Sequence, residues 1–117
     1  MKSDYLEEDH SLQALLDLDG YVHYFDDGYW VKFSAHRVEP SKHIPHGIRY
    51  SLTFHDRQGN RIIGYDNAHD ALPKTKKYRA KKVAWDHIHK QSKVFAYEFD
   101  TASQLITDFW KTVNQFS

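Results

Sequence analysis

Cysteine is absent from the chain. Its absence excludes disulfides, thiolate zinc sites and a cysteine nucleophile. No apolar run of about 18 residues occurs, so no membrane-spanning helix is expected. The opening "MKSDYLEEDH" is acidic and lacks the apolar stretch of a secretory signal. No G-x-S-x-G, Walker loop or G-x-G-x-x-G is present, which removes motif support from hydrolase, nucleotide-triphosphatase and dinucleotide readings. There is also no internal repeat and no low-complexity tract. These absences point to a cytoplasmic protein of one domain, 1–117, with a single modest core.

Aromatic residues and unevenly placed charge are what the chain does have. Eight Tyr, seven Phe and three Trp supply large buried area and favour strands. Formal net charge is zero, yet Met1 to Asp27 sets one lysine against eight carboxylates, and Ala71 to Lys93 sets eight cations against Asp86 alone. A neutral total thus hides an acidic N-terminal segment, 1–19, and a basic, His-containing loop, 68–92.

The pattern predicts an α+β domain. Leu12, Leu15 and Leu16 fall at helical spacing behind Ser11, a candidate cap. "YVHYF", "DDG" and "YWVKFSAHRV" form a hairpin signal around Asp27-Gly28, with Val31, Phe33 and Ala35 on one face. "IRYSLTFHD" alternates with Ile48, Tyr50, Leu52 and Phe54 inward. "RIIGYDN" reads as its returning strand, with Gly64 marking a bulge or close approach. "VFAYEF" is the last strand. The end of the chain reads as a helix with a Thr101/Gln104 capping box and an apolar stripe of Leu105, Ile106, Phe109, Val113 and Phe116. The expected architecture is an antiparallel meander of about five strands with this C-terminal amphipathic helix packed on one face.

Chemistry-bearing residues gather late in the chain. Asp66 is suited to orient a histidine or act as a base, and Asn67 beside it to bind a carbonyl or phosphate; both types are also common turn residues. His69, His87 and His89 titrate near neutral pH, and an extended backbone would turn His87 and His89 to the same side. The spacing of Asp66, His69, His87 and His89 matches no strong zinc signature, so neither metal nor cofactor is expected. "KTKKYRAKK" brings Lys74, Lys76, Lys77, Arg79, Lys81 and Lys82 around Tyr78, a composition suited to phosphates and an unpaired base. A solvated loop is the bland alternative. Arg49, on the polar side of its strand, and Tyr65 complete the candidate substrate-binding set. Transfer to the ribose 2′-oxygen would draw its base and acid from the three histidines and its cation from Arg49, Lys81 or Lys82.

The order "YWVKFSAHRV", "IRYSLTFHDRQGNRIIGYDNAHD", a His-containing loop, "YEF" and a terminal amphipathic helix resembles the TumE family of small toxins from prokaryotic toxin–antitoxin pairs. Its most specific part runs through Gly64, Tyr65, Asp66, Asn67 and His69, and His87 and His89 stand where the family's loop carries further histidines. The resemblance implies a cytoplasmic toxin with an antitoxin partner that carries a DNA-binding domain. Joined to the residue reading, it gives a toxin acting on RNA or translation, with metal-independent ribonuclease activity as the candidate reaction. A non-catalytic nucleic-acid- or protein-binding module is the alternative, and self-association into a homodimer is a further arrangement to test.

Overall fold

A computed structural model describes residues 9–68, 86–90 and 93–116. Its elements are α1 (Leu12–Asp17), β1 (Val22–Tyr24), β2 (Trp30–Arg37), β3 (Ile48–His55), β4 (Arg61–Asp66), β5 (Asp86–Lys90), β6 (Lys93–Tyr97) and α2 (Ala102–Phe116). The six strands form one sheet in chain order, and every neighbouring pair is antiparallel. The α+β meander with a terminal helix is therefore the observed architecture, with six strands where five were expected.

The added strand is β5. The stretch read as one loop over 68–92 contains it. "DHIHK" holds a single aliphatic residue, so its period-two pattern is hidden: Ile88 turns one way and His87 and His89 the other. Strand alternation is usually read from apolar residues, and here imidazoles occupy the alternate buried positions.

Local chemistry explains the turns on either side of β2 and β3. At the β1–β2 hairpin, Gly28 has φ +90°, a conformation side chains disfavour, and an added Cβ would stand 2.5 Å from Arg57 Cγ. The Tyr29 N–H donates to Asp27 Oδ1 in the same turn. At the β3–β4 hairpin, Asp56 Oδ1 accepts from the N–H groups of Gln58 and Asn60, both at 2.9 Å. Pairing then steps from His55–Arg61 to Phe54–Ile63, which leaves Ile62 as the extra residue of a bulge two positions before Gly64.

One face of the sheet is covered by α2, with α1 beside it. Val31, Phe33, Ala35, Ile48, Tyr50, Leu52, Phe54, Ile63 and Tyr65 line that face, and α2 brings Ala102, Leu105, Phe109 and Val113 down onto it. Phe109 meets Phe33 edge to face at 5.4 Å and Tyr65 at 5.9 Å. Tyr65 and Tyr97 pin the helix at its polar margin: the Tyr65 hydroxyl lies 2.6 Å from Thr112 Oγ1, and the Tyr97 O–H donates to Asp108 Oδ2 at 2.7 Å.

The start of α2 is capped by two separate segments. The Gln104 N–H donates to Thr101 Oγ1 at 3.0 Å, the first half of the expected capping box. Gln104 does not return the bond; its side-chain amide donates to Asp108 instead. The Ala102 N–H donates to Asp9 Oδ2 at 2.6 Å and the Ser103 N–H to Ser11 Oγ at 2.8 Å. Ser11 therefore caps the distant helix rather than its own, where it makes no side-chain cap bond. Among the described residues no helix is long and apolar enough to cross a membrane.

Candidate functional site

The opposite face carries no helix among the described residues, and the register places its side chains in rows. Ser34, Ser51, Asp66 and His87 stand opposite one another across β2 to β5, and Lys32, Thr53, Gly64 and His89 form the next row. Small side chains thus make a floor at the centre, and an acid with two imidazoles stands at its β4–β5 end.

Those three groups are buried. Relative exposure is 7% for Asp66, 3% for His87 and 8% for His89. Antiparallel pairing of β4 and β5 brings them together, because a period of two puts His87 and His89 on the same side as Asp66. His89 Nε2 lies 2.9 Å from Asp66 Oδ2. That is ion-pair distance without hydrogen-bond alignment, and Nε2 has no other hydrogen-bond partner among the described residues. The second carboxylate oxygen, Oδ1, accepts the Ala68 N–H at 3.1 Å, which holds the acid in place.

His87 differs from His89. Its ring centre is 6.3 Å from that of His89, and neither of its nitrogens has a hydrogen-bond partner among the described residues. Burial lowers its pKa below the ordinary histidine value; the Asp66 carboxylate pulls the other way, and His89 adds to the lowering. Burial favours the neutral form of this imidazole, and a neutral imidazole has one ring nitrogen able to accept a proton.

Beneath this set, on the helix side, lies a second buried acid. The Tyr50 O–H donates to Asp86 Oδ2 at 2.5 Å. Burial pushes the Asp86 carboxyl up to about 6, with the Tyr50 bond opposing and Asp66 adding to the rise. Burial and the same acid hold the Tyr50 hydroxyl well above its ordinary value. This pair anchors β5 to β3 and so fixes the height of His87, one residue along.

The family described as Toxin TumE matches this chain over residues 3–117. The chain belongs to the TumE toxin family. Membership gives it a toxin role in a toxin–antitoxin system and implies an antitoxin as partner. No curated protein and no solved structure matches it.

Within this TumE chain, the sequence candidates separate by position. Asp66, His87 and His89 converge. Arg49 stands on the same face, opposite His36, and its Nε is buried without a partner among the described residues. Tyr65 is on the helix face, where its hydroxyl joins α2. Asn67 extends the sheet ladder with its side chain: Oδ1 accepts the Tyr50 N–H at 3.0 Å and Nδ2–H donates to Ile48 O at 2.9 Å. His69, Lys74, Lys76, Lys77, Tyr78, Arg79, Lys81 and Lys82 lie outside the described residues. Asp86 was legible only as a lone negative charge among cations. Its pairing with Tyr50 spans 36 positions and leaves no local signal.

Proposed function

We propose that this toxin acts on RNA and cleaves it by transfer to the ribose 2′-oxygen, a route that needs no metal ion. The observation that carries the reading is the buried set of Asp66, His87 and His89 on the sheet face opposite α2. His87 takes the 2′-proton as the 2′-oxygen attacks phosphorus. The bond from phosphorus to the 5′-oxygen breaks, and protonated His89, steered by Asp66, gives its proton to that oxygen. The products are a 2′,3′-cyclic phosphate and a 5′-hydroxyl end. Arg49 stands on the face where charge develops on the phosphorane. His69 belongs to the same candidate set.

To Lys74, Lys76, Lys77, Arg79, Lys81 and Lys82 we assign the neutralising of RNA phosphates, and to Tyr78 among them the stacking of a base. The partner we assign is an antitoxin with a DNA-binding domain, and the compartment is the cytoplasm, where the RNA is. We assign this activity to a single domain, 1–117.

Expression without the antitoxin should arrest growth, and the purified chain should fragment RNA in the presence of a chelator. Removing the base or the acid by His87→Ala or His89→Ala should slow cleavage about 10²- to 10⁴-fold. Because His87 is held below its ordinary value of 6.5, the acidic limb of the pH–rate profile should fall below that pH. Intact RNA after incubation with the wild-type chain, with only a mobility shift, would assign a binding module instead.

A further inference from the structure

The sheet face opposite α2 holds a second constellation, away from the acid and imidazoles. Three aromatic residues stand directly opposite one another on three adjacent strands: Tyr24 on β1, Trp30 on β2 and His55 on β3. Trp30 and His55 are stacked, with ring centres 3.9 Å apart and planes within 9°. Tyr24 and Trp30 are 5.9 Å apart and tilted by 35°.

His55 is fixed in that stack. Its Nε2 is 2.9 Å from Thr53 Oγ1 and its Nδ1 is 3.3 Å from Gly59 O, so both nitrogens are engaged. It backs Trp30 as a plate. Tyr24 is the opposite case: it is 67% exposed and sits on an edge strand. Admitting a flat ring between Tyr24 and Trp30 needs about 7 Å, two contacts of about 3.5 Å, so a small outward swing of the exposed ring suffices.

Two cations stand on this face, and the nearest acids sit in turns. Lys32 and Arg61 both act electrostatically on His55, and Arg61 also lies over Gly64, 3.3 Å from where a Cβ would be. Asp56 accepts the N–H groups of its own turn, and in the β1–β2 turn Asp27, next to Asp26, accepts the Tyr29 N–H. Strand spacing of about 4.8 Å and a rise of about 3.4 Å per residue put His55 roughly 12 Å from His89 along the same face.

We propose that Tyr24 and Trp30, backed by His55, form a clamp for one unpaired nucleobase, with Lys32 and Arg61 on the adjoining phosphates. Exposed stacked rings bind any base through its π-face, and cations beside them favour a polyanion over an apolar protein surface. The clamp rests on the reading that RNA is the substrate and deepens it: the strand must be single at that point, because paired bases present no free face.

The test uses the full chain carrying His87→Ala, so that RNA stays intact, with labelled oligouridylate, oligoadenylate and an RNA duplex as probes. Trp30→Leu keeps apolar bulk without a π-face, Trp30→Phe keeps a ring, and Tyr24→Ala alters only an exposed side chain. Trp30→Leu and Tyr24→Ala should weaken single-strand binding about 5- to 100-fold, with Trp30→Phe close to the parent and duplex binding unchanged. Unchanged single-strand binding in Trp30→Leu and Tyr24→Ala would overturn the clamp. So would the absence of RNA binding by the parent, or a loss confined to antitoxin association, which would give the patch to a protein. The two readings separate cleanly. Cleavage by the wild type with binding indifferent to Trp30 removes the clamp alone. No cleavage, with binding that depends on Trp30, removes the reaction and keeps the clamp.

Discussion

The two faces of the one sheet use buried polar groups in opposite ways. On the helix side, the buried polar groups of β3 to β6 described above have their partners: Tyr50 with Asp86, Tyr65 with Thr112, Tyr97 with Asp108, Asn67 with the β3 backbone. On the other side, His89 meets Asp66 without hydrogen-bond alignment, and among the described residues neither His87 nor the buried Nε of Arg49 has a partner. An unsatisfied buried polar atom costs stability, typically about 1–3 kcal/mol. Among the described residues, the polar groups named on the helix face are satisfied and those named on the opposite face are not. The helix side holds the strands at fixed height, and the opposite side carries the imidazoles to which we assign the proposed chemistry.

The contrast makes its sharpest prediction in a pair of substitutions on opposite faces. His87→Ala should remove about 10²- to 10⁴-fold of RNA cleavage with little change in melting temperature. Phe109→Ala, which opens a cavity under α2, should cost about 3–5 kcal/mol in chemical denaturation. Equal loss of stability from both would break the distinction between the faces.

A smaller effect concerns Asp86, which lies between them. Its carboxyl titrates at about 6 in the fold against 3.8 as the ordinary value. The favourable contribution of the neutral acid is complete below 3.8, is lost progressively as pH rises to about 6, and is gone above that. Asp86→Asn keeps a neutral acceptor for Tyr50, so it should be more stable than the parent at pH 7 by on the order of 2 kcal/mol. The advantage should vanish near pH 4. His87, with its value lowered, works with the opposite sign as pH falls, so the difference between the two chains, followed by denaturation across pH 4–7, is the quantity to measure. The smallest effect belongs to the helix cap: Asp9→Ala should cost about 1 kcal/mol, read as a shift in denaturation midpoint with cleavage unchanged.

Legibility in the sequence followed the same division. β2 and β3 carry their alternation in apolar residues, so their inward faces were readable from Val31, Phe33, Ala35, Ile48, Tyr50, Leu52 and Phe54. The stripe of α2 was readable for the same reason, although Phe116 at its end is half exposed against Tyr29 and Phe54. β5 was hidden because its alternate buried residues are histidines. The candidate site was readable in part: Asp66, His87 and His89 were singled out by type, and a shared side followed if the backbone was extended. Their meeting depends on β4 pairing with β5 at Asp66–His87, a contact between segments that local pattern does not specify. The stack of Trp30 on His55 was beyond reach for the same reason, since each residue alone is only an aromatic in a strand.

The most direct measurement is the chemistry of the cut ends. RNA incubated with the wild-type chain in chelator should carry 2′,3′-cyclic phosphate and 5′-hydroxyl termini, absent with His87→Ala. Fragments ending in 5′-phosphate, or the same cyclic ends produced undiminished by His87→Ala, would contradict the account.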